Sequence, residues 1–273
     1  MCSSMDKFRK VFNKTCSVIG MVHVGALPGC PLFSGSIDKI VKKACYETEL
    51  YLKHDIDGIL IENMHDIPYI QSKHFGPELT ASMTRVCTEI KKIVPQNKPI
   101  GVQILACGNK EALAVAKACS LNFIRAEGFV FSHIADEGFT DASAGLILRY
   151  RKQIEADDVL VFTDIKKKHS SHAVTGDISL LETAKAAEYF LSDGLILTGT
   201  ATGCAADIEE LKQLKLNINT PILIGSGVTV ENAQEYHSAD ALIVGSHFKK
   251  HGQWQNEIEE KRLSNFMSKI RLI

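Results

Sequence analysis

Along the chain, short runs of consecutive apolar and β-branched residues alternate with longer stretches in which apolar residues return every three or four positions. The short runs cover residues 18–24, 58–62, 100–105, 123–126, 159–164, 194–198, 221–225 and 241–245. Such a run is apolar throughout, rather than at every second position, which is what a strand needs when both of its faces are covered. The runs therefore predict a parallel sheet with helices packed over it.

The intervening stretches carry helix-end signals. Ile37, Ile40, Val41, Ala44 and Cys45 share one helical face behind Ser36 as N-cap. Pro77, between Gly76 and Glu78, suits a first helical turn, where its missing N–H would be unpaired anyway. Ser179 and Glu182 have capping-box spacing, and Asp207 with Glu210 looks similar. A last helical stretch covers residues 254–271, and Met5, Phe8, Val11 and Phe12 predict a short helix beneath the domain.

Eight strand-helix units in about 250 residues are the size of a (β/α)8 TIM barrel, the α/β architecture that the pattern favours. The runner-up, an open doubly wound sheet, would place GxGxxG after the first strand. The chain instead reads His23-Val24-Gly25-Ala26-Leu27-Pro28-Gly29. No linker or composition shift interrupts it, so residues 17–273 read as one barrel domain after an extension of residues 1–16.

Composition narrows the function classes. The 273 residues carry a formal charge of -1, with 45% hydrophobic and 23% charged residues. Without a Lys/Arg surplus no nucleic-acid partner is expected. No run approaches the ~18 apolar residues of a membrane helix, so no membrane insertion is expected. The eight cysteines, Cys2, Cys16, Cys30, Cys45, Cys87, Cys107, Cys119 and Cys204, form no CxxC pair and read as reduced thiols of an intracellular protein. Cytoplasmic localisation is expected. The basic N-terminus, with Asp6 its one acidic residue up to Val18, keeps a mitochondrial presequence as the alternative. A homo-oligomer stays open.

In such barrels the residues that close each strand line the active-site face. The glycine turns Gly225-Ser226-Gly227 and Gly245-Ser246 follow the seventh and eighth runs, where backbone N–H groups and serine hydroxyls suit a phosphate. A bulky replacement of Gly227 is expected to block that approach. Glu62 and Asp164 end apolar runs as a candidate acid-base pair, because burial raises a carboxyl pKa and a nearby cation lowers it. Lys166, two residues past Asp164, is expected on the same face. Arg125 can meet either carboxylate or a substrate anion, Gln103 can bind substrate, and His23 can orient a hydroxyl. The competing reading of these charges is a salt-bridge layer closing the barrel mouth.

His23, Glu62, His65, Asp66 and Asp164 are metal-ligand types without a compact motif, so no cofactor is certain and a divalent metal stays open. The cationic loop of Lys167, Lys168, His169, Ser170, Ser171 and His172 suits a lid that grips an anion. A Schiff-base lysine is absent from the sixth run, which leaves Lys166 as an off-pattern candidate.

Several motifs in order then resemble the BtpA/SgcQ family. They include Met21-Val22-His23-Val24 with Leu27-Pro28-Gly29-Cys30-Pro31, and Asp57-Gly58-Ile59-Leu60-Ile61-Glu62-Asn63 with Asp66-Ile67-Pro68. Gly101-Val102-Gln103, Ile124-Arg125-Ala126-Glu127, Thr163-Asp164-Ile165-Lys166 and Gly225-Ser226-Gly227-Val228 continue the likeness from about Ser17 onward. The resemblance implies a barrel related to the ribulose-phosphate-binding enzymes and supports the phosphate reading. It implies no reaction, because family members are associated variously with photosystem I biogenesis and with sugar-metabolism genes. Two functions are carried forward. One is an isomerase, epimerase or aldol-type enzyme acting on a phosphorylated sugar, sugar acid or nucleoside-like molecule. The other is a non-catalytic assembly factor, which should expose an apolar patch outside the mouth.

Overall fold

The structure is a computed structural model that describes residues 3–271; Cys2 lies outside them. Eight parallel strands close into a barrel: β1 (Ser17–His23), β2 (Gly58–Glu62), β3 (Ile100–Gln103), β4 (Phe123–Ala126), β7 (Leu160–Ile165), β9 (Gly194–Leu197), β10 (Ile222–Ile224) and β11 (Ala241–Val244), which pairs back to β1. Three further strands, β5 (His133–Ala135), β6 (Gly138–Thr140) and β8 (Ser170–Ser171), make a small antiparallel sheet from the loops after β4 and β7.

The helices α2 (Ile37–Lys53), α3 (Pro77–Ile93), α4 (Asn109–Ala118), α5 (Ala144–Gln153), α6 (Leu180–Tyr189), α7 (Ile208–Asn217) and α8 (Glu260–Ile270) follow barrel strands. Ser36 caps α2 and the Ser179–Glu182 box caps α6 as expected. Asp207 also caps α7, but through Glu209 N, so the reciprocal box with Glu210 does not form. Two more differences are physical. Between β10 and β11 the crossover is only a 3-10 turn, Ala233–Tyr236. The last helix begins at Glu260, because the bridge between Lys249 and Ile258 closes the preceding segment into a loop made of a 3-10 turn, Lys250–Gly252, and a second turn after it.

Each strand divides its side chains by the two-residue period. Val22, Ile61, Val102, Ile124, Val161, Leu197, Ile224 and Val244 belong to the large core under the helices. Ile19, Met21, Leu60, Phe123, Phe162, Ile196, Leu223 and Ile243 fill the barrel interior. Phe123 and Phe162 lie 5.1 Å apart there. They fit because glycine stands inward beside them: a Cβ on Gly101 would fall 2.2 Å from Phe123, and one on Gly194 2.5 Å from Phe162.

The expected N-terminal helix, α1 (Ser4–Val11), closes the barrel base. Phe8 and Phe12 stack at 4.8 Å, and Phe12 reaches Phe123 at 5.7 Å and Phe162 at 6.3 Å. Phe12→Ala should therefore cost about 3 kcal/mol of unfolding free energy, the scale for emptying a buried aromatic site. Tyr189→Ala, at a residue 82% exposed, should change it by less than ~0.5 kcal/mol. Urea unfolding of both variants checks the contrast; equal midpoints would show that the helix is not part of the folded base.

Candidate active site

At the C-terminal ends of the strands, one more inward step of the same alternation replaces apolar side chains by His23, Glu62, Gln103, Arg125 and Asp164, all buried. His23 pairs in register with Glu62, and Glu62 with Gln103. All five line a single cavity of about 730 Å3, within the ~300–1,000 Å3 usual for small-molecule sites.

Arg125 and Asp164 form a two-point ion pair, Nε to Oδ2 at 3.1 Å and Nη2 to Oδ1 at 2.8 Å. Both Asp164 oxygens thus already accept hydrogen bonds from a guanidinium, the geometry that holds a buried charge in place. Asp164 is accordingly a positioning partner of Arg125 rather than an open carboxylate.

Lys166 corrects the expectation more sharply. Its backbone turns to φ +51°, outside the β region, so the alternation that aims Asp164 inward ends at Ile165. The Lys166 ammonium donates to the Ile178 carbonyl and lines a separate small cavity beside His133 and His172. The mouth receives Lys167 and Lys168 in its place. Lys167 lies 3.4 Å from Glu127 and 3.1 Å from Glu137, and these carboxylates hold its pKa above the usual lysine value against the effect of burial. Lys168 makes no ion pair among the described residues. Burial, then repulsion from Arg125, lowers its pKa.

With Arg125 and Lys167 paired, Glu62 is the buried carboxylate of the cavity without a cation in direct contact among the described residues. Burial pushes its pKa up to about 7, against the opposing pull of Arg125 and Lys168. Its nearest basic partner, His23 Nε2, is 3.9 Å away. His23 is kept neutral by burial, reinforced by Lys249. Its Nδ1 lies 3.2 Å from the Trp254 carbonyl, which can only accept. That contact assigns the proton to Nδ1 and leaves Nε2 as an acceptor at the cavity. Gln103 Oε1 is buried without a protein donor, so a ligand hydroxyl can satisfy it.

Gly225, Ser226, Gly227, Gly245 and Ser246 line the same cavity, but two serve the protein first. The Ser226 hydroxyl accepts from Gly199 N at 2.8 Å and donates to the Cys204 carbonyl at 2.9 Å, which ties the β9 and β10 loops together. A Cβ on Gly227, whose φ is +70°, would lie 2.3 Å from Ala205 N and the Cys204 carbonyl. Bulk there would break loop packing before it touched any phosphate.

Sequence reading missed Arg262 on α8, whose Nε donates to the His247 carbonyl at 2.6 Å beside the second glycine turn. No carboxylate pairs with this guanidinium among the described residues. The start of α8 carries no side-chain cap to reveal the register that brings Arg262 to the site.

The metal-ligand types do not gather: no group of three His, Cys, Asp or Glu suited to one ion occurs among the described residues. Asp66, for example, is engaged by Leu27 N at 2.7 Å and Asn63 Nδ2 at 2.8 Å. Of the cationic loop, Lys167, Lys168 and His169 line the cavity, and Ser170–Ser171 pair as β8 with β5. His169 clasps Thr202, its Nε2 2.9 Å from the hydroxyl and 3.0 Å from Thr202 N. The seven described cysteines are free, and no described helix is long and apolar enough to cross a membrane.

The BtpA family model matches residues 14–272. The chain belongs to the BtpA family. An uncharacterized mitochondrial protein of Caenorhabditis elegans is 46% identical over 94% of this chain and 93% of its own. The photosystem I biogenesis protein BtpA of Synechocystis is 31% identical over 96% and 90%. Among solved structures, phosphoribosyl anthranilate isomerase from Thermus thermophilus superposes with a TM-score of 0.58 at 11% identity, covering 94% of this chain and 98% of that one. N-acetylmannosamine-6-phosphate 2-epimerase from Clostridium perfringens superposes with a TM-score of 0.54 at 14% identity, covering 87% and 88%. At such identities these structures show the fold alone, a TIM barrel, for this BtpA-family chain.

Because its folded pKa of about 7 lies above the unfolded value of 4.5, Glu62 favours folding most below pH ~4.5, and this contribution fades as pH rises through ~7. Glu62→Gln does not titrate. Its stability relative to the unmodified protein should rise between pH 5 and pH 8, by at most about 3 kcal/mol. Denaturant unfolding at the two pH values measures this, and a constant difference would remove the shifted carboxyl.

Proposed function

We propose that this BtpA-family protein is an enzyme acting on a phosphorylated sugar, sugar acid or nucleoside-like molecule by a proton-transfer isomerisation, epimerisation or aldol-type cleavage. The observation carrying this reading is the unpaired, buried Glu62 carboxyl, with a pKa of about 7, in one cavity with Arg125, Lys168 and two glycine turns. A carboxylate that titrates near working pH can both take and return a proton. Arg125, immobilised by Asp164, and Lys168 would stabilise negative charge developing on an enolate-like oxygen. His23 Nε2 and Gln103 would orient hydroxyls. The phosphate would meet backbone N–H groups at Ser226–Gly227 and Gly245–Ser246 together with Arg262, since the Gly225 N–H is already spent on the Leu197 carbonyl. The activities of the isomerase and epimerase neighbours suit such chemistry, and the mitochondrial C. elegans relative favours mitochondria over cytoplasm.

A second reading, the assembly factor, is favoured by one feature: Ile134 and Phe139 face each other across the β5–β6 hairpin and are 44% and 52% exposed. A protein that binds phosphosugars but turns none over would favour it.

Thermal-shift and calorimetric titration with phosphorylated sugars tests the reading. Ribose 5-phosphate should bind, ribose should not, and Arg262→Gln should weaken the phosphate ligand about tenfold, the scale of one charge-assisted contact. Equal binding of ribose and its phosphate would overturn the anion site.

With a turned-over substrate, kcat/KM should rise with pH to a plateau above ~7, following the Glu62 value of about 7. Glu62→Gln should lower turnover by roughly 100-fold or more without unfolding the protein. Asp164→Asn should instead lower stability by about 3 kcal/mol, since it strips the partner from a buried arginine. Unchanged turnover in Glu62→Gln would sink its catalytic assignment.

A further inference from the structure

The cavity is polar on only part of its circumference. In the order of the strands, the glycine turns stand at β10 and β11, and the charged groups rise from β2, β4 and β7. The sector above β1, β2 and β3 is lined by Trp254, Met64, Ile67, Pro68, Tyr69 and Leu105. Two of its polar atoms are already engaged. The Tyr69 hydroxyl donates to the Met64 carbonyl at 2.7 Å, which leaves the ring as its remaining surface. The Trp254 carbonyl lies 3.2 Å from His23 Nδ1, so the segment carrying the indole is anchored to the candidate catalytic cluster.

The indole lies 5.0 Å from the His65 ring and edge-on to His23 at 6.1 Å. Burial and the nearby Lys43 and Lys249 lower the His65 pKa to about 4, so the imidazole beside the indole is neutral at pH 7. The indole N–H has no acceptor among the described residues. A large half-buried indole with apolar neighbours is poor surface to leave in water beside a charged site, and a planar ligand would cover it. The cavity of about 730 Å3 also exceeds what a pentose phosphate alone fills and reaches the range of drug-sized ligands.

We infer that the ligand carries an aromatic or heteroaromatic ring in addition to its phosphorylated sugar, and that this ring docks against Trp254 and the loop holding Met64 and Tyr69. The inference rests on the phosphosugar reading above and narrows it to sugars bearing a ring substituent. The phosphate would lie over the β10 and β11 turns, and the sugar would span Glu62, Gln103 and Arg125.

Trp254 is the single tryptophan of the chain, so its fluorescence reports this sector directly. The full-length protein would be titrated with inorganic phosphate, ribose 5-phosphate, phenyl phosphate and the four common ribonucleoside 5′-monophosphates, by fluorescence and calorimetry in parallel. At least one ring-bearing probe should bind tenfold or more tighter than ribose 5-phosphate and quench the indole, a scale that a ring stacked on an aromatic side chain supports.

Trp254→Ala should erase that advantage while changing ribose 5-phosphate affinity by less than twofold, and Trp254→Phe should retain most of it. If no ring-bearing probe exceeds ribose 5-phosphate, or if Trp254→Ala weakens all probes alike, the ring sector falls and the phosphate reading stands. If no probe binds at all, the phosphate reading falls and this inference falls with it.

Discussion

A closed eight-stranded sheet encloses a fixed volume, and everything in this molecule follows from how that volume is filled. Phe123 and Phe162 from β4 and β7, with Phe8 and Phe12 from below, occupy the lower interior. Such bulk is tolerable only because Gly101 and Gly194 present no side chain beside it. With the lower interior dry and full, polar side chains have one place left on the inward face. That place is the last step of each strand, where His23, Glu62, Gln103, Arg125 and Asp164 meet. Aromatic packing at the base and chemistry at the mouth are thus two ends of one alternation.

Burial then determines what each charge can do. An ionised group in a low-dielectric site needs a partner or shifts its pKa toward neutrality. Arg125 has Asp164, and Lys167 has Glu127 and Glu137. A salt-bridge layer closing the mouth explains those groups completely. It does not explain Glu62, whose nearest basic atom belongs to a neutral histidine 3.9 Å away, nor Lys168, which has no ion pair among the described residues. The residue left over after structural pairing is where acid-base chemistry is best supported, which is why the weight moves from Asp164 to Glu62.

How much of this was legible in the sequence depends on the kind of order involved. Strand positions and the inward polar ends follow a strict period of two, so the barrel, its mouth residues and the capping of α2 and α6 could be read directly. Lys166 could not, because the alternation that was extrapolated to it stops at a left-handed turn that a lysine gives no reason to expect. Nor could Arg262: the segment from Trp254 has helical spacing, but a bridge between Lys249 and Ile258 closes it into a turn and delays the helix to Glu260. The roles of Ser226 and Gly227 were half visible. Their glycine-rich turn is evident, whereas its contact with Cys204 and Ala205 depends on a loop far away in sequence.

The roof over the mouth obeys different energetics from the barrel beneath it. It rests on a three-residue hairpin pair, a two-residue strand and a few polar ties: His169 to Thr202, and Gln71 to the Glu137 and Phe139 carbonyls. Hydrogen bonds at such half-exposed positions are worth about 1 kcal/mol each, because water replaces them when they open. The interior below would have to give up whole buried aromatic side chains, at several times that amount apiece. Opening therefore begins at the roof, and it can proceed while Arg125 stays clamped by Asp164 and His23 by the Trp254 carbonyl. The part of the fold that costs least to disturb thus lies beside the mouth, while the clamped groups of the mouth belong to the part that costs most.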